Sequence, residues 1–306
     1  MERQGGGRQV RVLHVCAGWE PQNGAANIAR MIMAEQRRAG HEVSLATWAG
    51  IGALRAADEV WIHCAWKPCL WWAALWAKRY RWMPEASYDP VRLRFRGWKK
   101  RLVGPMERFF LRRAGRIVVT CEAERGWVEA YLGKRCPRIE ATDIKRFFDL
   151  EGGEGRTEGK GQGPEAASSG NSSSLHVLYL GRRHPLKGIE HLEAAVAEID
   201  SGCRLSAVER QLPDVELRVV SDALGEEKER VWDWCDVLVL PTLSENFGLV
   251  VAEALERGKR VIATDGAPAW EGSDYGGRLR YLVGYREGTR DMRVKLLKDA
   301  VESIGK

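Results

Sequence analysis

Residues 237–268 read VLVLPTLSENFGLVVAEALERGKRVIATDGAP, and this stretch decides the fold. The four apolar residues Val237–Leu240 predict a buried strand, because a short unbroken apolar run is typical of a strand covered on both faces. A polar loop containing Ser244–Gly248 follows, and the apolar spacing after it predicts a helix over 247–257. The run Arg260–Ala263 predicts the next strand. This order is typical of a parallel α/β sheet, whose ligands bind at the loops that follow the strands.

The same alternation of apolar runs and helical patterns fills two parts of the chain, from Val10 to about Leu150 and from Leu175 onward. Residues 151–174 are rich in Gly, Ser and Glu with almost no large apolar residue, which predicts a flexible linker. We therefore expect an α/β protein with two doubly wound parallel sheets that face a cleft. The expected organisation is an N-terminal domain over 1–150, a linker over 151–174, a C-terminal domain over 175–290 and a closing helix over 291–306.

Composition excludes several classes of protein. The chain has 306 residues, of which 44% are hydrophobic and 29% charged, as in a folded globular protein rather than a disordered one. The longest apolar run, Cys69–Ala77, is too short to span a membrane, and the polar residues 1–7 are unlike a signal peptide. Seven cysteines without a CxxC pair indicate neither a zinc site nor a disulfide framework. Reduced thiols and a cytoplasmic location are expected.

Basic residues are concentrated in one segment. The net charge is +6, and residues 78–116 contain thirteen Lys and Arg against three acidic residues. The aromatic side chains of Trp82, Trp98, Phe109 and Phe110 lie in the same segment. Such a segment suits an anionic partner, which is a phosphoglycolipid, a membrane surface or nucleic acid, whereas the alternative is a solvated helix face. A peripheral position on the inner face of the cytoplasmic membrane is compatible with it.

The loop and helix after Leu240 contain candidate binding groups. Glycine at 248 lets a ligand approach the backbone, and the amides at the helix start favour an anion. These amides belong to Asn246, Phe247, Gly248 and Leu249. Glu245 and Glu253 are eight residues apart, so both are placed to face one elongated ligand. The alternative is a helix-end charge and a solvated surface residue, although a carboxylate in the apolar stretch around Glu253 needs polar partners.

This stretch resembles the family 4 glycosyltransferases, which are retaining enzymes of the GT-B fold with a glutamate, seven residues and a second glutamate. The matching positions are Pro241, Glu245, Phe247, Gly248, Glu253, Ala254, Gly258, Val261 and Ile262. Thr242, Glu256 and Arg260 depart from the family pattern. The resemblance implies two Rossmann-like domains, with the sugar donor held by the C-terminal one. It further implies that Glu245 and the amides after it hold the donor sugar, and that Glu253 holds the ribose.

A second element, Leu178–Gly188, resembles the family's V-G-R-x-x-x-x-K-G turn. An arginine and a lysine five residues apart are usually solvated charges. In this turn the resemblance implies that Gly181, Arg182 and Lys187 bind the diphosphate of a nucleotide sugar. The two cations would then stabilise the charge that grows on the leaving phosphate.

The N-terminal half resembles the acceptor-side domain of the same family. Gly24, in the loop before a predicted helix, is implied to approach the phosphates of the sugar donor. Val60–Trp66 resembles a strand that carries H-x-H-G-x-W, which makes His63 a candidate acceptor contact. The next segment, Met83–Pro90, lacks the histidine usual in the family, so Ser87, Tyr88 or Asp89 is expected in its place. The predicted helix over 96–113 resembles a basic helix that faces anionic lipid-linked acceptors.

The resemblance implies a retaining, nucleotide-sugar-dependent hexosyltransferase that acts on a hydroxyl of a cell-envelope glycan or lipopolysaccharide. Its implied catalytic residues are Glu245, Arg182 and Lys187. No cofactor is expected besides the nucleotide-sugar co-substrate, no metal because no Asp-x-Asp pair occurs, and no nucleic acid. Two alternatives remain open, a nucleotide-sugar epimerase of the same architecture and a non-catalytic protein that binds an anionic ligand. The sugar, the nucleotide base, the acceptor and the oligomeric state are also open.

Overall fold

The computed structural model describes residues 9–150, 174–205 and 214–304. Its contacts divide the chain into two compact units, Met1–Ile144 and Lys145–Lys306, which we call the N-terminal and C-terminal units. The predicted linker over 151–174 lies outside the described residues apart from Ser174. None of the described helices is long and apolar enough to cross a membrane.

The N-terminal unit is a six-stranded parallel sheet in the order β2-β1-β3-β4-β5-β6. Large apolar side chains in the four central strands, Val15, Ile62, Trp82 and Ile117, are fully buried, as expected for a parallel sheet covered on both faces. The strands are β1 Arg11–Cys16, β2 Glu42–Ala46, β3 Glu59–His63, β4 Tyr80–Met83, β5 Arg116–Val119 and β6 Ile139–Ala141. The helices are α1 Gly24–Arg38, α2 Ile51–Ala56, α3 Pro68–Trp76, α4 Pro90–Arg94, α5 Gly97–Arg113 and α6 Glu122–Leu132.

The C-terminal unit is a five-stranded parallel sheet in the order β11-β10-β9-β7-β8. All four residues of β9 are buried, which explains its unbroken apolar sequence. The strands are β7 Ser174–Leu180, β8 Asp214–Val220, β9 Val237–Leu240, β10 Arg260–Thr264 and β11 Leu279–Leu282. The helices are α7 Ile189–Leu205, α8 Gly225–Trp234, α9 Leu249–Glu256 and α10 Arg290–Ile304.

The expected fold class is confirmed, since every strand pair in the described residues of both units is parallel. The helix predicted over 247–257 is shorter than expected and spans Leu249–Glu256. Gly248 precedes it with a φ of +73°, in the left-handed region that cannot continue a right-handed helix. The strands β4, β6 and β11 were not predicted.

Helix α5 turns one acidic side chain into the core of its unit. Glu107 is fully buried. Its Oε1 accepts a hydrogen bond from the Tyr88 hydroxyl at 2.6 Å, and its Oε2 accepts one from the Trp71 indole. Because a buried carboxyl without partners would be costly, these two bonds favour the same orientation of α5 as the burial of Phe110 and Leu111.

Candidate functional site

Two loops of the C-terminal unit meet at one edge of its sheet. They are residues 181–188 after β7 and residues 241–248 after β9. The two strands are adjacent and parallel, so their carboxyl ends share that edge. The carbonyl oxygen of Leu186 accepts hydrogen bonds from the Leu243 amide at 2.9 Å and from the Thr242 hydroxyl at 3.0 Å. The backbone itself therefore holds the two predicted binding loops together.

An ion pair joins the two loops through residues that the sequence singled out. The Lys187 ammonium contacts Oε2 of Glu245, and each side chain is 18% exposed. The other carboxylate oxygen of Glu245 accepts a hydrogen bond from the Asn246 amide at 3.1 Å. Two opposite charges in a half-buried position gain from contact but lose hydration, so the pair is weak evidence for stability alone. It does place a cation and an anion together, both partly exposed, at the edge where parallel sheets bind ligands.

Two glycines let neighbouring loops approach residues 241–248 closely, Gly188 in the loop after β7 and Gly266 in the loop after β10. A Cβ added at Gly188, whose φ is +61°, would lie 2.1 Å from the carbonyl oxygen of Pro241. A Cβ added at Gly266 would lie 2.0 Å from the carbonyl oxygen of Thr242. The Glu245 amide also donates to the Gly266 carbonyl at 2.7 Å. Any larger residue at either glycine would push the loops apart, so the position of Glu245 depends on both.

Arg182 lies on the same loop as Lys187 and is exposed. Its carbonyl oxygen accepts a hydrogen bond from the Tyr179 hydroxyl at 3.1 Å. Burial raises the pKa of Tyr179, the negative charge of Glu245 raises it further, and the positive charge of Arg182 lowers it. Both charges therefore act on one hydroxyl. Gly181 begins this loop, and its amide donates to the Val220 carbonyl at 2.9 Å.

The start of α9 also differs from the prediction in its backbone hydrogen bonds. The amide of Asn246 is occupied by Glu245, so it is not a free helix-start amide as expected. Phe247 is buried, and its carbonyl oxygen accepts a hydrogen bond from the Trp270 indole. Gly248 follows, and Leu249 is the first residue of the helix. The ring of Phe247 packs against that of Trp270, with centroids 5.0 Å apart, so this side chain belongs to the core.

Glu253 is half-buried on α9, as its apolar surroundings predicted, but it already has a polar partner. Its Oε2 lies 2.7 Å from Nζ of Lys228 on α8. Lys228 was missed, because no motif marks it and only the packing of α8 beside α9 brings it there. The structure thus joins Lys187 to Glu245 and Glu253 to Lys228.

In the N-terminal unit, Gly24 is the first residue of α1. Asn23 caps this helix by accepting a hydrogen bond from the Ala25 amide at 3.2 Å. A Cβ added at Gly24 would meet no heavy atom within 4 Å. No packing in the described structure requires a glycine here, and the expected contact with a sugar donor stays a prediction.

His63, a candidate acceptor contact, lies in a buried chain of hydrogen bonds at the end of β3. Its Nε2 lies 2.9 Å from Nδ1 of His14, and its Nδ1 lies 3.1 Å from Oε1 of Glu85. Nε2 of His14 lies 2.8 Å from Oε1 of Gln36. Both histidines are 0% exposed, so the imidazole of His63 contacts protein groups rather than solvent. Its contact with an acceptor stays a prediction.

The position of each proton in this chain of hydrogen bonds follows from the acceptor at its end, the side-chain oxygen of Gln36. Because Oε1 of Gln36 only accepts, Nε2 of His14 donates to it and Nδ1 of His14 is left as an acceptor. Nε2 of His63 then donates to His14, so Nδ1 of His63 must accept, and the Glu85 carboxyl donates to it. The pKa values agree with this assignment. Burial lowers the pKa of His14 and of His63 to about 3, and burial together with the charge of Glu124 raises the pKa of Glu85.

We predict that Glu85→Gln becomes more stable relative to the native protein as pH rises. The Glu85 carboxyl has a raised pKa, so its contribution to stability is present below the ordinary value of 4.5 and is lost as pH rises toward the folded-state value. Glutamine keeps a donor to His63 and does not ionise. Urea unfolding from about pH 5 to about pH 8 measures the difference between the two proteins.

The two histidines lose their stabilisation as pH falls from 6.5 towards about 3. This loss affects both proteins, so their difference isolates the carboxyl group. A difference in stability that is the same at every pH would contradict a protonated Glu85.

Tyr88 and Ser87, the other candidate acceptor contacts, are also engaged by the protein. The Tyr88 side chain is buried, and its hydroxyl is bound to Glu107. Ser87 is half-buried, and its carbonyl oxygen accepts a hydrogen bond from the Trp66 indole at 3.3 Å. In this structure Tyr88 supports α5, and a role for either residue in binding an acceptor stays a prediction.

The loops after β3 and β4 carry backbone strain that the sequence did not reveal. Four non-glycine residues there have left-handed φ angles, and they are Cys64 (71°), Trp66 (66°), Glu85 (55°) and Ala86 (56°). Such conformations cost free energy, and the surrounding contacts must hold them. They lie at the carboxyl ends of two neighbouring parallel strands, which is where α/β sheets bind ligands. Among the described residues, no three His, Cys, Asp or Glu side chains form a group that could hold a metal ion.

Two family models match the chain. Residues 174–287 match the model of glycosyl transferases group 1, and residues 48–142 match that of a glycosyl transferase 4-like domain. Together the matches cover about two thirds of the chain, with one in each unit. No curated protein matches the sequence.

Solved structures of glycosyltransferases share the fold. Sucrose-phosphate synthase from Thermosynechococcus elongatus is similar with a TM-score of 0.66 at 15% identity, over 97% of this chain and 90% of that one. Anabaena HepE in complex with UDP-glucose has a TM-score of 0.55 at 12% identity, over 97% of this chain and 92% of that one. WaaG, a glycosyltransferase involved in lipopolysaccharide biosynthesis, has a TM-score of 0.54 at 10% identity, over 95% of this chain and 90% of that one.

At these identities the structural likeness shows the fold alone, whereas the family models match the sequence itself. The two lines of comparison agree with each other and with the two parallel-sheet units. The chain belongs to the glycosyltransferases of the GT-B fold.

Proposed function

We propose that the protein is a retaining hexosyltransferase that moves a sugar from a nucleotide-sugar donor to a hydroxyl of a cell-envelope glycan or lipopolysaccharide. The observation that carries this proposal is the contact between Lys187 and Glu245 at the carboxyl edge of β7 and β9. The edge offers a cation for a phosphate and a carboxylate for sugar hydroxyls. The HepE structure contains UDP-glucose and WaaG acts in lipopolysaccharide biosynthesis, which supports the substrate classes.

In the proposed reaction, the bond between the anomeric carbon and the phosphate oxygen breaks while the acceptor oxygen bonds to the same face of that carbon. The acceptor proton passes to the departing phosphate oxygen, so no protein nucleophile is needed. Lys187 and Arg182 stabilise the negative charge that grows on the diphosphate. Glu245 and the backbone of 247–249 hold the sugar, and Glu253 binds the ribose hydroxyls. We propose that the reaction needs no metal ion.

Ligand binding and product stereochemistry test this proposal. A nucleotide sugar that binds the folded state is expected to raise the melting temperature by mass action. Transfer to an acceptor should give a glycoside with the anomeric configuration of the donor, as read by NMR. If no nucleotide sugar shifts the melting temperature and none releases its nucleotide, the proposal is wrong. Conversion of the sugar donor alone into an epimer would favour the epimerase alternative.

We further propose a cytoplasmic protein that contacts the inner face of the membrane through residues 78–116. The charge of this segment supports the proposal, since anionic lipid attracts Lys and Arg near its surface.

A further inference from the structure

Two cysteines of the N-terminal unit lie at the carboxyl ends of neighbouring strands. Cys16 is the last residue of β1, and Cys64 directly follows the last residue of β3. The Cα register pairs Cys16 with His63, so Cys64 is one residue further along the adjacent parallel strand. A strand spacing of about 4.8 Å and a rise of about 3.3 Å put the two Cα atoms about 6 Å apart, a separation that a disulfide bond spans.

The backbone at Cys64 allows its thiol to meet that of Cys16. Successive side chains of a regular strand point to opposite faces, so the residue after His63 would leave the face that His63 shares with Cys16. The φ of Cys64 is +71°, which ends this alternation. The two thiols are joined by a hydrogen bond, and both are free in this structure.

The left-handed conformation of Cys64 is held by its backbone partners. Its amide donates to the Met83 carbonyl at 2.9 Å, and its carbonyl oxygen accepts a hydrogen bond from the Trp82 indole at 2.7 Å. Such a conformation costs free energy and persists only where the surrounding contacts fix it. The sheet therefore keeps the Cys64 thiol against Cys16 before any reaction takes place.

The two thiols differ in their surroundings. Cys16 is fully buried, whereas Cys64 is half-buried. The hydrogen bond with Cys64 lowers the pKa of Cys16 despite its burial, and the same bond together with burial raises the pKa of Cys64. A negative charge on the pair is therefore favoured on Cys16. Because the thiolate is the nucleophilic form of cysteine, Cys16 is suited to attack an oxidised partner.

We propose that Cys16 and Cys64 are a redox pair that closes to a disulfide when a peroxide oxidises Cys64. In the first step the Cys64 sulfur attacks one oxygen of hydrogen peroxide, the O–O bond breaks, and a sulfenic acid and water form. The Cys16 sulfur then attacks the Cys64 sulfur, and the displaced hydroxide leaves as water with the Cys16 proton. Two thiols and one peroxide thus give one disulfide and two molecules of water.

The disulfide would join two loops that carry candidate substrate contacts. The loop after β1 leads to Gly24, the first residue of α1, and Cys64 is the neighbour of His63. An S–S bond is about 2.0 Å long, shorter than a hydrogen bond between two thiols, so closing it moves at least one of the loops. We expect oxidation to lower sugar transfer about tenfold or more, since small displacements of positioning groups slow a reaction strongly. This consequence rests on the proposed function, whereas disulfide formation does not.

Peptide mass spectrometry of the full chain tests the redox pair without any transferase assay. After treatment of the native protein with hydrogen peroxide, we expect a disulfide between Cys16 and Cys64. The thiol count of the denatured protein should fall from seven to five, because one disulfide consumes two thiols, and dithiothreitol should restore it. In Cys16→Ser the sulfenic acid has no partner, so dimedone should label Cys64. In Cys64→Ser, dimedone should leave Cys16 unlabelled.

Cys69→Ser is the matched control, since Cys69 is a buried thiol whose pKa is affected first by burial and also by the charge of Cys16. This variant should form the same disulfide as the native protein, and circular dichroism should show that all the variants are folded. A disulfide from Cys16 to Cys69, or an unchanged thiol count, would overturn the proposal. Dimedone on Cys16 in Cys64→Ser would contradict the order of the two steps. Equal transfer by the oxidised and reduced native protein would show that the link to activity is wrong.

Discussion

Replacing Lys187 with methionine is expected to lower kcat for sugar transfer by about a hundredfold to a thousandfold. A cation beside the leaving diphosphate stabilises the transition state more than the bound sugar donor, because charge grows on the phosphate as the bond breaks. KM for the sugar donor should change less than kcat. Steady-state kinetics with a saturating acceptor separate the two effects.

The ion pair offers a control for structural damage. Lys187→Met leaves the half-buried Glu245 carboxylate without its cation, which lowers stability whether or not the lysine is catalytic. Adding Glu245→Gln removes that uncompensated charge, so the double variant should regain stability but not activity. Arg183→Ala is a second control, because Arg183 lies on the same loop and pairs with Glu193 at an exposed position. Recovery of transfer in the double variant would mean that the pair only supports the fold.

The parts of the fold that follow from local sequence could be predicted. Strand β9 is buried along its whole length and reads as four consecutive apolar residues. The first residue of α9 was predicted two residues too early. The sequence does not say whether Gly248 lies inside the helix or holds a positive φ before it. Strand β4 was missed because Arg81 interrupts its apolar run. Arg81 pairs with glutamates of β3 and β6, and such partners are set only by the assembled sheet.

The residues of the candidate site could likewise be predicted only in part. Lys187 and Glu245 were both singled out from the sequence, because each lies in a motif that resembles the family pattern. The adjacency of β7 and β9 brings them into contact, and their role in binding stays a prediction. Lys228 was not found, since it is joined to Glu253 only by the packing of neighbouring helices. His63 was found as a strand-end histidine. Its buried partners, His14 and Glu85, come from other strands, so the sequence did not reveal that it is buried.

Glu253→Gln is expected to raise KM for the sugar donor by about a hundredfold with a smaller change in kcat. A carboxylate that accepts hydrogen bonds from two ribose hydroxyls contributes about 1.5–3 kcal/mol for each charged hydrogen bond, and the amide loses part of each. These bonds form equally in the ground state and the transition state, because the ribose does not react, so the loss appears in KM. Steady-state kinetics over a range of sugar-donor concentrations measure it.

Lys228→Met separates ribose binding from the ion pair that Glu253 forms in this structure. Both substitutions break the contact between Lys228 and Glu253, which lie 2.7 Å apart, and both should lower stability by a similar amount. Only Glu253→Gln removes the carboxylate itself. Lys228→Met should therefore leave KM for the sugar donor within about threefold of the native value, because the carboxylate is still present to accept both hydroxyls. Equal effects of the two variants on KM, or no effect of either, would mean that Glu253 serves to hold α8 against α9 and does not bind the nucleotide.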